Sequence, residues 1–236
     1  MKNVPDIKIF GDGAVLADVP RLLSEHGVKG FTTNPTLMAK AGVKDYEGFA
    51  KQFLAAAQGL PVSFEVFADD DANMVRQARI LASWGENVYV KIPVTNTAGK
   101  STREAIETLS KEGVKLNVTA VLTIAQIDQL VPLFDERTPG ILSVFAGRIA
   151  DAGVDPQPIV KHAVDVARSR PRLEVLWASC REIFSVKLAA DVGCHIITVP
   201  NDMLKKLSMF GKDLAEISLD TVKMFYNDAA SSGFRL

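Results

Sequence analysis

The sequence predicts a single (β/α)₈ barrel, and two observations lead to that prediction. First, short β-branched and apolar runs alternate with helical segments along the chain, and strict alternation indicates a parallel sheet covered by helices. Second, eight such runs occur within 236 residues, which matches the length of one closed barrel. The runner-up is a doubly wound open sheet, but that fold favours a glycine-rich first turn, which Gly11-Asp12-Gly13 does not supply.

The eight strands are predicted from β-branched and aromatic residues bounded by turn-forming residues. They are expected at residues 7–10, 28–32, 62–66, 87–94, 115–119, 141–145, 173–178 and 195–199. Pro61 precedes the third strand and Pro200 ends the eighth. After the second strand, Thr33-Asn34-Pro35 is typical of a corner, because asparagine and proline both favour turns.

The segments between the strands carry helix signals. Helices are expected at residues 15–26, 46–57, 72–84, 101–111, 124–134, 158–168 and 182–191. Gly27 and Gly113 end the first and fourth of them, and Asp69-Asp70-Asp71 caps the third. Residues 218–230 are predicted as an extra amphipathic helix that folds over the barrel or reaches a neighbouring subunit. Because composition does not change along the chain, residues 1–236 are expected to form one domain.

The composition limits the classes of partner and compartment. A net charge of -1, from 27 basic and 28 acidic residues, argues against nucleic-acid binding. No apolar run approaches membrane-spanning length, and the N-terminus lacks the apolar core of a signal peptide. Cys180 and Cys194 suit a reducing compartment, and three scattered histidines do not suit a zinc site. We therefore expect a cytoplasmic protein that needs no metal or cofactor and binds no membrane.

Lys91 is the most informative single residue. It lies near the end of the fourth strand among Val90, Ile92 and Pro93, and lysine is rarely buried without a reason. Desolvation disfavours the charged ammonium form, and a neutral amine can attack a carbonyl to form a Schiff base. The alternative is a strand-end lysine that extends its ammonium group into water.

Polar side chains also follow the other strands. In a (β/α)₈ barrel the chemistry lies at the carboxyl ends of the strands, so these side chains should meet. The residues collected there are Asp12, Thr33, Asn34, Glu65, Lys91, Asn117, Thr119, Ser143, Arg148, Ser179 and Arg181. Seven of the eight strands contribute, which scattered surface polarity would not produce.

These residue types suit one kind of chemistry. An imine-forming lysine needs a proton relay, which Glu65 and Thr119 can supply, with or without a water between them. Asp12 can accept a proton from a substrate hydroxyl during carbon–carbon cleavage. Asparagine side chains suit sugar hydroxyls, and two arginines flanked by serines form a plausible phosphate clamp. Taken singly, each residue has an ordinary alternative, such as a helix cap, a turn, a structural ion pair or a surface arginine.

Several segments of the chain together resemble the transaldolase family. They are Thr32-Thr33-Asn34-Pro35, Val90-Lys91-Ile92-Pro93-Val94-Thr95, Leu116-Asn117-Val118-Thr119, Ser143-Val144-Phe145-Ala146-Gly147-Arg148, Ala178-Ser179-Cys180-Arg181 and Thr198-Val199-Pro200. The resemblance implies a metal-free barrel of the class I aldolase type, in which Lys91 forms a Schiff base with a ketose. A three-carbon dihydroxyacetone unit then passes to an aldehyde.

The resemblance also implies roles for the other residues. Asp12 would be the acid/base of bond cleavage, while Glu65 and Thr119 would hold the catalytic water. Asn34 and Asn117 would contact substrate. The residues expected around the anionic group are Ser143, Arg148, Ser179 and Arg181; Thr33 and Phe145 complete the predicted substrate site.

The short chain is similar to the small-subunit branch, which includes fructose-6-phosphate aldolases and forms ring-based oligomers such as pentamers and decamers. Those aldolases carry glutamine and tyrosine where this chain has Glu65 and Phe145, so the resemblance favours a transaldolase. After Arg181 this chain has Glu182 where the family commonly has asparagine, and this glutamate adds a negative charge beside the predicted phosphate clamp. Three alternatives stay open: an aldolase that releases dihydroxyacetone, a transaldolase for sulfofructose, and a non-catalytic sugar-phosphate-binding barrel.

Overall fold

The computed structural model describes residues 3–235 and shows a closed barrel of eight parallel strands, paired in chain order, with β1 closing against β8. The strands are β1 Lys8–Asp12, β2 Phe31–Thr32, β3 Val62–Glu65, β4 Val88–Pro93, β5 Leu116–Val121, β6 Gly140–Val144, β7 Leu173–Trp177 and β8 Ile196–Pro200. The predicted fold class is confirmed, and every strand overlaps its predicted segment.

Helices follow the strands as the alternation predicts. They are α1 Val19–His26, α2 Pro35–Lys40, α3 Tyr46–Ala56, α4 Asp71–Ala82, α5 Arg103–Lys111, α6 Ile124–Leu130, α7 Ala146–Asp151, α8 Gln157–Ala167, α9 Ser185–Asp191, α10 Asn201–Leu204 and α11 Leu214–Ser232. Side-chain caps fix several starts: the carboxylate of Asp70 accepts the backbone N–H of Asn73 at the start of α4, for example.

The structure differs from the sequence prediction at a few boundaries. Helix α1 begins at Val19 and not at residue 15, because Pro20 is tolerated only in the first turn of a helix. Three short helices were not predicted, α2, α7 and α10, since four to six residues are too few to show a helical period. Residues 28–30 lie beside β1, where the N–H of Lys29 donates to the carbonyl of Ile9, but β2 itself covers two residues.

The alternation of side chains along each strand divides the apolar residues into two layers. Outward-facing residues of the strands pack against the helices and form the main core; Val90 and Ile92 of β4 are examples. Inward-facing residues form a second, smaller cluster inside the barrel. Its members are Phe10, Ile141, Leu176, Ala178 and Ile196, with Tyr89 and Phe145 packed against them. This inner cluster fills the barrel below the polar residues at the strand ends.

Helix α11 is the predicted extra helix, and it is longer than the predicted 218–230 segment. The carboxylate of Asp213 caps it by accepting the N–H groups of Ala215 and Glu216. None of its residues is buried, and Phe225 and Tyr226 are 62% and 74% exposed. Within residues 3–235, no helix combines the length and the apolar character that crossing a bilayer requires.

The loops after β6 and β7 meet at one tight contact. Ser179, after β7, has a left-handed backbone with φ of 64°, and its carbonyl oxygen points at Gly147 in α7. A Cβ atom at residue 147 would lie 1.6 Å from that oxygen, so only glycine fits. The N–H of Gly147 also donates to the carbonyl of Ala178 at 3.3 Å. Gly147 therefore sets the spacing between two loops that carry predicted site residues.

We expect Gly147→Ala to destabilise the fold strongly, because the new methyl group meets backbone and not a movable side chain. The expected cost is about 3 kcal/mol, or roughly 6–12 °C in Tm. Gly85→Ala is the matched control, since its Cβ would meet only side-chain atoms, at 3.1 Å or more. Thermal melting of both variants checks the prediction. Equal losses of Tm would contradict the role of Gly147.

Candidate active site

A cavity of about 590 Å³ opens at the carboxyl ends of the strands. Of the predicted site residues, all but Thr33 line it: Asp12, Asn34, Glu65, Lys91, Asn117, Thr119, Ser143, Phe145, Arg148, Ser179 and Arg181. Residues far apart in the chain therefore meet in one place, as expected for the ends of parallel barrel strands. Their roles in binding or catalysis stay predictions.

Lys91 lines this cavity and is only 7% exposed. The register of β3 and β4 places it opposite Glu65, and its Nζ lies 3.1 Å from Glu65 Oε2. The same Nζ donates to the backbone carbonyl of Thr33 at 3.0 Å. Its ammonium group is thus held inside the barrel by a carboxylate and a carbonyl, and does not extend into water.

Asp12, at the end of β1, supplies a second carboxylate. The hydroxyl of Thr32 donates to Asp12 Oδ1 at 2.8 Å, and the hydroxyl of Thr198 lies 2.5 Å from that of Thr32. Because Thr32 gives its only hydroxyl proton to Asp12, Thr198 must be the donor in the second bond. Burial raises the pKa of Asp12 above its usual value, and this effect outweighs the Thr32 hydrogen bond and the positive charge of Lys91.

Asn117, on β5, joins three strands through its fully buried side chain. Its Nδ2 donates to Ser63 Oγ of β3 at 3.0 Å, and its Oδ1 accepts the hydroxyl of Ser143 of β6 at 2.6 Å. Thr119, two residues later, faces the same cavity. Its Oγ1 is buried and finds no hydrogen-bond partner among the residues that the structure describes. A substrate hydroxyl can provide that partner.

Thr33 and Asn34 reach the site in different ways. Asn34 Oδ1 accepts the N–H of Leu37 at 2.9 Å and so caps α2, which leaves its amide hydrogens for other partners in the cavity that it lines. The predicted turn residue is therefore also a helix cap. Thr33 is fully buried with its hydroxyl on the carbonyl of Ser63, and it meets Lys91 through its own carbonyl oxygen.

The two predicted anion-binding arginines have different surroundings. Arg181 forms a two-pronged ion pair with Asp151 of α7, with its Nε 3.0 and 3.1 Å from the carboxylate oxygens. This pairing lowers the pKa of Asp151 and raises that of Arg181. Arg148 is exposed at the cavity and forms no ion pair within the described chain. Asp151, and not the sequence neighbour Glu182, is thus the carboxylate that faces Arg181.

Sequence reasoning missed four residues that take part in the hydrogen bonds of this site: Ser63, Thr32, Thr198 and Asp151. The first three are polar residues at inward-facing positions of buried strands, and Ser63 comes two residues before Glu65. That two-residue spacing is a signal that could have found Ser63. Asp151 lies on a helix too short to predict, so its partner could not be foreseen. Among residues 3–235 no group of three histidine, cysteine or acidic side chains could hold a metal ion.

Comparison with known proteins adds evidence of family. The family model described as Transaldolase/Fructose-6-phosphate aldolase matches residues 9–235. A protein named probable transaldolase 2 from Listeria monocytogenes is 37% identical over 202 residues, covering 85% of this chain and 88% of its own length. A probable transaldolase from Streptococcus pyogenes is 32% identical over 226 residues, covering 95% of this chain and 99% of its own.

Solved structures that are similar in shape share little sequence with this chain. A putative lyase/mutase from Burkholderia cenocepacia gives a TM-score of 0.60 at 16% identity, covering 86% of this chain and 79% of its own. KGPDC from Streptococcus mutans gives a TM-score of 0.55 at 14% identity, covering 86% of this chain and 90% of its own. At these identities the likeness concerns the barrel fold alone. The family model and the relatives above show that the chain belongs to the transaldolase/fructose-6-phosphate aldolase family.

Proposed function

We propose that the protein is a transaldolase, which moves a dihydroxyacetone unit from a ketose phosphate to an aldehyde through a Schiff base on Lys91. The observation that carries this proposal is the contact of 3.1 Å between Nζ of the buried Lys91 and Oε2 of the half-buried Glu65. An amine that must attack a carbonyl needs a nearby group to take its proton, and Glu65 is within reach.

The first stage forms the imine. Lys91 passes a proton to Glu65, and its neutral nitrogen attacks the C2 carbonyl of the ketose to form a carbinolamine. The proton returns to the carbinolamine oxygen, which leaves as water. Thr119, whose buried Oγ1 has no partner among the described residues, lies where it can bind that water together with Glu65.

The second stage breaks and re-forms a carbon–carbon bond. Asp12 takes the proton of the C4 hydroxyl, the C3–C4 bond breaks, and its electron pair moves into the iminium to leave a three-carbon enamine on Lys91. The aldehyde fragment departs. Attack of the enamine on the acceptor aldehyde reverses these steps, and water then releases the product. A carboxylate whose pKa is raised by burial is a better proton acceptor for this task than an exposed one.

The anionic end of the substrate belongs at the rim of the cavity, where Arg148 and Ser179 lie together with Arg181. Asp151 partly neutralises Arg181, so we assign the main attraction for a phosphate to Arg148. A sulfonate is a second candidate anion, since it presents three oxygens to the same donors. The resemblance at Glu65 and Phe145 supports transfer over release of free dihydroxyacetone.

Trapping with borohydride tests this proposal. Fructose 6-phosphate with borohydride should add one reduced ketose-derived fragment to the protein, mapped to Lys91. Turnover should require an acceptor such as erythrose 4-phosphate; turnover without one would indicate an aldolase. If the sulfonated ketose alone formed the adduct, the sulfofructose alternative would replace the phosphate. Failure with every ketose would favour the non-catalytic barrel.

Lys91→Met is expected to abolish the adduct and to lower kcat by at least about 10⁴-fold, since the nucleophile is lost. Steady-state kinetics and intact mass check both effects. Lys115→Met is the matched control: Lys115 precedes β5, and within residues 3–235 its side chain bonds only the backbone carbonyl of Glu86, so the loss of that side chain should leave kcat unchanged. Full activity of Lys91→Met would overturn the Schiff-base mechanism.

Asp12→Asn is expected to lower activity and to raise stability at neutral pH. Because the folded chain holds the Asp12 proton more tightly than the unfolded chain does, ionising Asp12 destabilises the fold. The contribution of protonated Asp12 to the free energy of unfolding is complete below the ordinary pKa of 3.8. That contribution is lost as the pH rises through the raised pKa of the folded state. The variant should therefore melt higher than wild type at about pH 7.5, and kcat should fall about 10²–10⁴-fold.

In wild type, kcat/KM should fall as the pH drops through the raised pKa of Asp12, because the carboxylate form is the base. Asp6→Asn, at an exposed position whose side chain forms no hydrogen bond or ion pair with the residues that the structure describes, should change neither melting nor activity. Melting scans and pH–rate profiles of the three proteins make the comparison. A less stable Asp12→Asn variant at neutral pH would contradict the desolvation of this carboxylate.

We also propose that the protein is a homo-oligomer, of the pentamer or decamer kind that the family resemblance implies, with α11 packed on a neighbouring subunit. The apolar residues that α11 exposes include Leu214, Val222 and Phe225. Their helical spacing places these three side chains on one side of α11. A second copy of this chain would cover them.

The two cysteines are both buried and unpaired, which is typical of proteins in the reducing environment of the cytoplasm.

Phe225→Glu should reduce the oligomer to smaller species, because it puts a charge into the covered face. Light scattering coupled to size-exclusion chromatography measures the mass. Asn227→Glu, on the opposite side of the same helix, should keep the wild-type mass. A wild-type protein that is monomeric at micromolar concentration would contradict the assembly.

A further inference from the structure

The backbone of Glu65 lacks a strand neighbour on one side. In a strand, successive residues point their N–H and C=O groups to alternate neighbours. The carbonyls of Pro61 and Ser63 accept N–H groups of Phe31 and Thr33, on the β2 side, so Glu65 also faces that side. On that side β2 ends at Thr32 and α2 begins at Pro35, so no β2 residue lies beside Glu65 to bond its backbone.

The phenol of Tyr46 occupies that position. Its O–H donates to the carbonyl of Glu65 at 3.1 Å, and its oxygen accepts the N–H of Glu65 at 3.0 Å. One hydroxyl thus replaces both hydrogen bonds of a missing strand residue. Burial raises the pKa of Tyr46, so the hydroxyl keeps its proton throughout the ordinary pH range.

The ring of Tyr46 is itself held firmly. It is the first residue of α3, whose cap is the Asp45 carboxylate bonded to the N–H of Gly48 at 3.0 Å. Aromatic neighbours surround it, with ring centroids 6.0 Å away at Phe64, 4.8 Å at Phe67 and 5.2 Å at Trp84. The phenol oxygen therefore has little freedom to move.

On its other side, β3 is fixed to β4. Glu65 is in register with Lys91, and the N–H of Val66 donates to the carbonyl of Lys91 at 3.1 Å. The backbone of Glu65 is thus bonded by Tyr46 on one side and flanked by this ladder on the other. With its backbone held in this way, the carboxylate reaches the Lys91 amine at 3.1 Å.

We propose that Tyr46 is a positioning residue for the reaction: its hydroxyl holds the Glu65 backbone so that the carboxylate stays within proton-transfer distance of Lys91. This inference rests on the proposed Schiff-base function. Tyr46 does not line the main cavity, so it acts through Glu65 and not on the substrate. This role requires tyrosine at residue 46, because phenylalanine would fill the same space without bonding the Glu65 backbone.

Tyr46→Phe removes only the hydroxyl and keeps the aromatic packing. We expect kcat and the rate of borohydride trapping to fall about 10–100-fold, since a shift near 1 Å in a reacting group costs about 10²-fold. KM for the ketose should stay within about threefold of wild type, because no substrate contact is lost. Tyr226→Phe makes the same chemical change at an exposed position on α11 and should leave kcat unchanged.

A double-mutant cycle with Glu65→Gln separates positioning from general stabilisation. If Tyr46 acts through the Glu65 carboxylate, Tyr46→Phe should lower kcat by less than about threefold in the Glu65→Gln background. A merely structural role would lower kcat by the same factor in both backgrounds. Equal factors, or an unchanged trapping rate in Tyr46→Phe, would overturn the proposal.

A crystal structure of Tyr46→Phe supplies a readout that needs no turnover. The proposal predicts that Glu65 moves and that its contact with Lys91 Nζ lengthens beyond the 3.1 Å of wild type. An unchanged contact would overturn it. If wild type formed no adduct with any ketose, the proposed function would fail, while this distance would still decide whether Tyr46 positions Glu65.

Discussion

The ion pair between the buried Lys91 and the half-buried Glu65 is the interaction on which the rest of the site depends. Removing two charges from water costs several kcal/mol for each ion, so such a pair persists only where further hydrogen bonds hold it. The carbonyl of Thr33 bonds the amine, and the phenol of Tyr46 fixes the backbone that carries the carboxylate. The apolar residues packed outside the strands and inside the barrel form the rigid frame that keeps the two charged side chains close together.

Two carboxylates beside one amine can take separate tasks because their surroundings differ. Glu65 touches the amine directly and suits proton exchange with nitrogen. Asp12 is held by the Thr198–Thr32 chain, and burial raises the pKa of this carboxyl, which suits it to remove a hydroxyl proton. The two arginines also differ in their surroundings, since Arg181 is paired with Asp151 while Arg148 forms no ion pair among residues 3–235.

Much of the fold was predictable because the strands are strongly β-branched and alternate with capped helices. The short helices α2 and α7 were not, since six residues carry no period, yet both begin beside the site. The site followed from a single rule, that polar residues at strand ends meet in a barrel. Contacts that depend on three-dimensional closure were out of reach: the phenol of Tyr46 on Glu65, and Asp151 on Arg181. Nothing in the local sequence around either residue specifies its partner.

A crystal structure of the borohydride-reduced complex would show whether Lys91 is the Schiff-base residue. We expect a covalent bond between Lys91 Nζ and C2 of the ketose-derived fragment. We also expect Glu65 within hydrogen-bond distance of the former reaction centre, with Asp12 on the side of the C4 hydroxyl. Density for the sugar on another lysine, or for an intact ketose lying unattached in the cavity, would contradict this expectation.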